Sequence, residues 1–135
     1  MAATPDVALP TLEYLLASEH ELIFVITQPD RPAGRGRILT ATPVAEWACE
    51  HGVEVYKPNS SEEISDLVAD VDLVITIGYG VLLPEPLLNI PRYGFLNLHF
   101  SLLPAWRGAA PVQRSLEAGD PVTGVTVFKL DAGMD

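Results

Sequence analysis

The stretch Gly94-Phe95-Leu96-Asn97-Leu98-His99-Phe100-Ser101-Leu102-Leu103-Pro104 opens as an apolar run, and polar residues then interrupt it at every second position. Strand side chains alternate between faces, so Asn97, His99 and Ser101 are expected on one side and Leu96, Leu98 and Phe100 on the other. Pro104 closes the run, because proline has no amide proton to give to a ladder. An amide, an imidazole and a hydroxyl thus collect where a buried strand ends. In open α/β sheets that is where ligands bind. The amide NH2 of Asn97 can hold a developing oxyanion, and the imidazole of His99 can donate to the same oxygen or move a proton near neutral pH. A core histidine flanked by turn-forming Asn and Ser would give the same pattern, so the spacing alone leaves both readings open.

Outward from this stretch, the chain reads as alternating strands and helices. Leu22 to Thr27 is a continuous apolar run suited to a parallel strand buried on both faces. Val53 to Tyr56 and Val71 to Ile77 read as further strands, and Val122 to Leu130 as the last. Between them, helices are expected from Thr4-Pro5-Asp6 to Ser18, from Thr42-Pro43 to Glu50, from Ser60 or Ser61 to Ala69, and from Ala109 to Ala118. Pro84 to Ile90 reads as a short helix or turn. Each longer helix has start chemistry: a Thr or Ser to cap it, or a proline in the first turn. His51-Gly52 ends the second helix, which makes His51 a helix-end residue rather than a catalyst. The pattern predicts an α/β fold, a Rossmann-like doubly wound and mostly parallel sheet with helices on both faces. Because helix precedes strand at the start, the first strand of such a sheet is expected to be missing.

Two connections stand out. Gln28 to Thr42 holds two prolines, two glycines and the basic residues Arg31, Arg35 and Arg37, so it is expected to be a long loop. It is the only basic cluster in a chain of formal net charge −10, and arginine-rich loops suit phosphate. A solvated surface loop is the plainer account. Gly78-Tyr79-Gly80 follows a strand directly, and glycines there let a ligand approach the backbone, with Val81-Leu82-Leu83 as an apolar wall. A simple strand-to-helix turn explains it equally well.

Composition narrows the classes. At 135 residues and 48% hydrophobic the chain suits a single domain with a core. The acidic balance argues against broad nucleic-acid binding by the domain as a whole. One cysteine, Cys49, excludes an internal disulfide framework, and it reads as a small core residue rather than a nucleophile. No apolar run approaches a membrane span, and Met1 to Pro10 has no basic residue or apolar core of a secretory signal. A cytoplasmic location without membrane partner is the expectation. His99 has no His, Cys or carboxylate neighbour at ligand spacing, so no metal is expected.

Asn97 to Pro111, Asn-Leu-His-Phe-Ser-Leu-Leu-Pro-Ala-Trp-Arg-Gly-Ala-Ala-Pro, resembles the signature of folate-dependent formyltransferases. Thr27 to Gly36, Thr-Gln-Pro-Asp-Arg-Pro-Ala-Gly-Arg-Gly, is similar to an extra loop in the branch of that family that formylates initiator methionyl-tRNA. The resemblance runs from Thr4 to Asp135. It implies transfer of a formyl group from 10-formyltetrahydrofolate to the methionyl α-amino group, for translation initiation. It implies Asn97, His99 and Asp135 as catalytic residues, the last orienting or charge-stabilising His99. It implies folate contacts from Gly78, Tyr79, Gly80, Val81, Leu82 and Leu83, and from Ser101, Leu102, Leu103 and Pro104. Arg31, Arg35 and Arg37 would meet the tRNA, with Arg35 reaching the acceptor end. It also implies a monomer in the full-length form, with a C-terminal tRNA-binding barrel domain outside residues 1–135. A formyltransferase or formyltetrahydrofolate hydrolase with another acceptor is the enzyme alternative. An inactive folate-binding remnant is the other.

Overall fold

The apolar runs assemble side by side into one six-stranded sheet, seen in a computed structural model that describes residues 1–133. In chain order its strands are β1 (Ala2–Ala3), β2 (Phe24–Ile26), β5 (Glu54–Tyr56), β6 (Val74–Ile77), β7 (Phe95–His99) and β8 (Thr126–Lys129). Across the sheet they run β5-β2-β1-β6-β7-β8, and every pairing is parallel except the last, β7 with β8. The remaining pair, β3 (Arg31–Ala33) and β4 (Ile38–Thr40), forms a separate antiparallel hairpin.

Residue alternation sorts the core onto two faces. Ala3, Val25 and Ile77 pack with Leu12, Val44 and Trp47 on one face, under helices α1 (Leu9–Ala17) and α2 (Pro43–Glu50). Ala2, Ile26, Val74 and Phe95 pack with Ile64, Val68, Leu87 and Leu88 on the other, under α3 (Ser61–Val68) and α4 (Glu85–Leu88). This is the doubly wound arrangement that the sequence predicts. Each fully buried aliphatic side chain contributes roughly 1.5–3 kcal/mol, so both faces are needed to offset chain entropy.

Four expectations need correction. Cys49 is exposed near the end of α2 rather than buried in the core. The first strand is not missing: Ala2 and Ala3 form β1 at the centre of the sheet, Ala2 paired with Ile26 on one side and Thr76 on the other. Two alanines carry no periodic signal, yet their small side chains are what a sheet centre buried on both faces accepts. The connection Gln28–Thr42 is not free of structure, since β3 and β4 pair there with Pro32 opposite Leu39. Proline is tolerated because a two-stranded ribbon has open edges. The first helix is not capped by Thr4. A 3-10 turn over Asp6–Ala8 leads into α1, and the Thr4 hydroxyl instead donates to the Tyr79 carbonyl at 2.9 Å.

The other helix ends follow the sequence. Thr42 caps α2, its Oγ1 accepting the Ala45 amide at 3.1 Å, and Ser60 caps α3, its Oγ accepting the Glu63 amide at 3.3 Å. His51 stands at the end of α2, where its Nδ1 donates to the Trp47 carbonyl at 2.8 Å and its ring stacks on Trp47. No helix among the described residues is long and apolar enough to cross a membrane.

Candidate active site

Asn97 and His99 leave β7 on the same face, as alternation requires, and line a cavity of about 510 Å³ at the carboxyl ends of β6 and β7. One wall is the segment Gly78–Leu83, and another is Gly108–Pro111; Thr76 and Asp131 complete the polar lining. Gly78, Tyr79, Gly80, Val81, Leu82 and Leu83 are thus brought together with Asn97 and His99. Ser101, Leu102, Leu103 and Pro104 are not. β7 ends at His99, and the chain turns before Ser101. The Ser101 hydroxyl is fully buried and donates to the Ala105 carbonyl at 2.6 Å, while its carbonyl accepts from Thr126 at 2.8 Å. Ser101 therefore knits the turn that follows the strand. Arg31, Arg35 and Arg37 lie on the exposed hairpin and its tip, not in the cavity. Asp135 lies outside the described residues.

His99 is buried, and its Nε2 stands 2.9 Å from the Trp106 carbonyl oxygen. A carbonyl can only accept, so Nε2 carries the hydrogen. Asn97 sits in register with Thr76 on the neighbouring strand, and the Thr76 hydroxyl donates to its Oδ1 at 2.8 Å. The amide NH2 is then the end of Asn97 left for other partners.

The Gly78–Gly80 turn is held from below. Its Tyr79 carbonyl accepts both the Thr4 hydroxyl and the Gln28 side-chain amide, at 2.9 and 2.8 Å. Both glycines have positive φ, and a Cβ at Gly78 would meet the ring of Pro5 at 2.8 Å. Here glycine is required by conformation and by space. Burial pushes the Tyr79 phenol up from its usual range, which keeps it neutral. Across the cavity, Trp106, Gly108 and Ala110 also have positive φ, so the second wall is a tightly turned backbone.

Sequence reading missed Thr76, Thr4, Gln28 and the Trp106 carbonyl. Thr76 had one available signal: a polar residue inside the run Val74–Ile77, on a strand next to Asn97. A second cavity of about 500 Å³ opens at the amino ends of β2 and β6, where Met1, Leu22 and Val71 are among its lining. It lies at the other end of the strands from Asn97 and His99.

A doubly wound sheet thus carries an amide and an imidazole at its carboxyl edge, facing a glycine-bounded backbone wall, at the place where open α/β sheets bind ligands. Residues 3–135 match the formyl transferase family along almost their whole length, and the chain belongs to that family. It is 51% identical over 140 residues to a methionyl-tRNA formyltransferase from Hydrogenovibrio crunogenus, covering 99% of this chain and 44% of the relative. It is 54% identical over 138 residues to a methionyl-tRNA formyltransferase from Salinispora tropica, covering 99% of this chain and 45% of that one. The chain thus spans less than half the length of these relatives. Among solved structures, the fold is shared with a phosphoribosylglycinamide formyltransferase from Anaplasma phagocytophilum. There the TM-score is 0.79 at 23% identity, covering 99% of this chain and 64% of that one. It is also shared with a glycinamide ribonucleotide transformylase from Geobacillus kaustophilus, with a TM-score of 0.78 at 24% identity, covering 99% and 73%.

Proposed function

We propose that the chain supplies the chemical site for moving a formyl group from 10-formyltetrahydrofolate to the α-amino group of initiator methionyl-tRNA. The observation that carries this reading is the pair Asn97 and His99 on one cavity face, opposite the backbone wall Gly78–Leu83. The similarity to methionyl-tRNA formyltransferases supports the choice of acceptor.

The residues present fit a folate-type donor. The segment Gly78–Leu83 offers backbone donors and acceptors, with Leu82 and Leu83 as apolar surface, to the flat edge of a heterocycle. The donor supplies the activated formyl group. The acceptor amine attacks the formyl carbon as a neutral nucleophile, forming a new C–N bond. Negative charge builds on the formyl oxygen, where the Asn97 NH2 donates. His99 holds one proton on Nε2 against Trp106. The ring is placed beside the formyl oxygen to share in its stabilisation and to move a proton. The carbon–nitrogen bond to the carrier then breaks. The proton lost by the acceptor amine ends on the carrier nitrogen, with His99 and Asp135 as the proposed relay. Ser101, hydrogen-bonded inside its turn, has no part in attack. Arg31, Arg35 and Arg37 extend the site toward phosphates of the acceptor stem, which suits their exposure.

The deciding experiment is formylation of initiator methionyl-tRNA by the native protein that carries residues 1–135, at whatever length it is made, supplied with 10-formyltetrahydrofolate. Asn97→Ala should lower the rate by about 10²- to 10³-fold, as removal of an oxyanion donor does elsewhere. His99→Ala should do the same while folate binding persists. Arg35→Ala should raise KM for the tRNA and leave donor binding intact. Formate release that ignores tRNA would favour a hydrolase, and folate binding without any turnover would favour a non-catalytic binding role.

A further inference from the structure

We infer that Thr76 is a positioning residue that fixes which end of the Asn97 side-chain amide faces the cavity, an inference that rests on the reading of Asn97 as an oxyanion donor. Thr76 and Asn97 occupy paired positions on adjacent parallel strands, so both side chains leave the sheet on the same face. Thr76 is 3% exposed and therefore shielded from competing water. Its Oγ1 stands 2.8 Å from Asn97 Oδ1 and 3.2 Å from the Leu96 carbonyl oxygen. A hydroxyl has one proton to give, and the shorter contact takes the larger share of it.

That bond has a directional consequence. An amide has an accepting end and a donating end, and a rotation of half a turn exchanges them. With Oδ1 held by the Thr76 hydroxyl, the NH2 end is the one turned to the cavity. The reverse rotamer would send Nδ2 to Thr76 Oγ1 and present a carbonyl oxygen to the substrate. A formyl oxygen gaining negative charge is stabilised by the first arrangement and repelled by the second. The position paired with Asn97 on its other side, Phe128 of β8, brings no side-chain polar atom that could do this work.

The test compares Thr76→Val, which keeps the shape and removes the hydroxyl, with Thr76→Ser, which keeps the hydroxyl. In the formylation reaction, kcat should fall about tenfold or more in the valine variant, as expected for misplaced catalytic groups. KM for the folate donor should stay within about twofold, since transition-state contacts are the ones lost. Serine should restore kcat. Full activity in the valine variant, or equal loss in both variants, overturns the inference. If the wild-type chain transfers no formyl group, the functional reading fails first. The side-chain amide resonances of Asn97 in a 15N-labelled chain then decide separately. One sharp pair in wild type and Thr76→Ser, with doubled or exchange-broadened signals in Thr76→Val, supports the inference. One sharp pair at unchanged positions in all three rejects it.

Discussion

Ala110 is held in the left-handed region, with φ 59° and ψ 45°, directly before helix α5 (Pro111–Glu117) and on the wall of the cavity. For an L-residue that conformation costs roughly 1–2 kcal/mol. Glycine would remove the strain, while its extra freedom in the unfolded chain takes back roughly 0.5–1 kcal/mol. The first effect is larger, so Ala110→Gly is expected to stabilise the chain by about 0.5–1 kcal/mol. A urea midpoint at or below that of the wild type would mean that the surrounding turn, not Ala110, carries the strain. At this scale the site was partly legible. Alternation alone put Asn97 and His99 on one face, and glycine chemistry marked Gly78 and Gly80. Alternation put Ser101 on that face too, but the strand ends at His99 and Ser101 lies two residues beyond it, inside the turn. Thr76 passed unnoticed because a β-branched residue in a strand needs no special reason to be there. The Trp106 carbonyl had no signal at all, since every residue has one.

At the level of elements, two helix caps of the same chemistry should differ in weight. The Thr42 hydroxyl caps α2 and also shares a 2.7 Å hydrogen bond with the hydroxyl of Thr27, which is fully buried. Ser60 caps α3 in an exposed setting. Ser60→Ala is expected to cost about 1 kcal/mol. Thr42→Ala removes a similar cap and also leaves Thr27 unpaired, for a total of roughly 2–4 kcal/mol. Urea denaturation of both variants would check this, and equal costs would show that Thr27 finds another partner. These caps were readable because Thr-Pro and Ser-Ser-Glu-Glu are local signals. The hairpin β3–β4 was not. All six of its strand residues are exposed, so no hydrophobic alternation marks it. Lys57 anchors its base by a 2.6 Å ion pair with Asp30, a contact between positions 27 residues apart that only the fold creates.

Across the whole molecule, the doubly wound layout followed from the order of apolar runs, while its central strand escaped notice. β1 is two alanines long, and it is defined by its neighbours rather than by its own pattern. In a chain that starts at Met1 with its α-amine free, β1 also makes stability depend on pH. The amino group of Met1 is buried against the Phe24 carbonyl at 3.0 Å, and desolvation lowers its pKa from 8.0 to about 5. Between those values the unfolded chain binds a proton that the folded chain does not. Stability from this group is complete above pH 8 and falls as pH drops toward 5, at about 1.4 kcal/mol per pH unit. The denaturation midpoint should therefore decline from pH 8 to pH 5.5, and acetylation of the Met1 amine should flatten that slope. A midpoint that stays level in the unmodified chain would contradict the burial of a neutral amine. The same architecture also gives the molecule two optical reporters of different character. Its only tryptophans are Trp47 and Trp106. Trp47 is buried between α1 and α2, with its indole nitrogen donating to Glu13 at 2.6 Å. Trp106 lies at the site, its carbonyl on His99 and its indole nitrogen donating to Asp120 at 2.7 Å. Emission from Trp47 follows the integrity of the helix pair, whereas emission from Trp106 follows the turn beside the cavity. In a Trp47→Phe background, light from a single ring would register a ligand's arrival without any label.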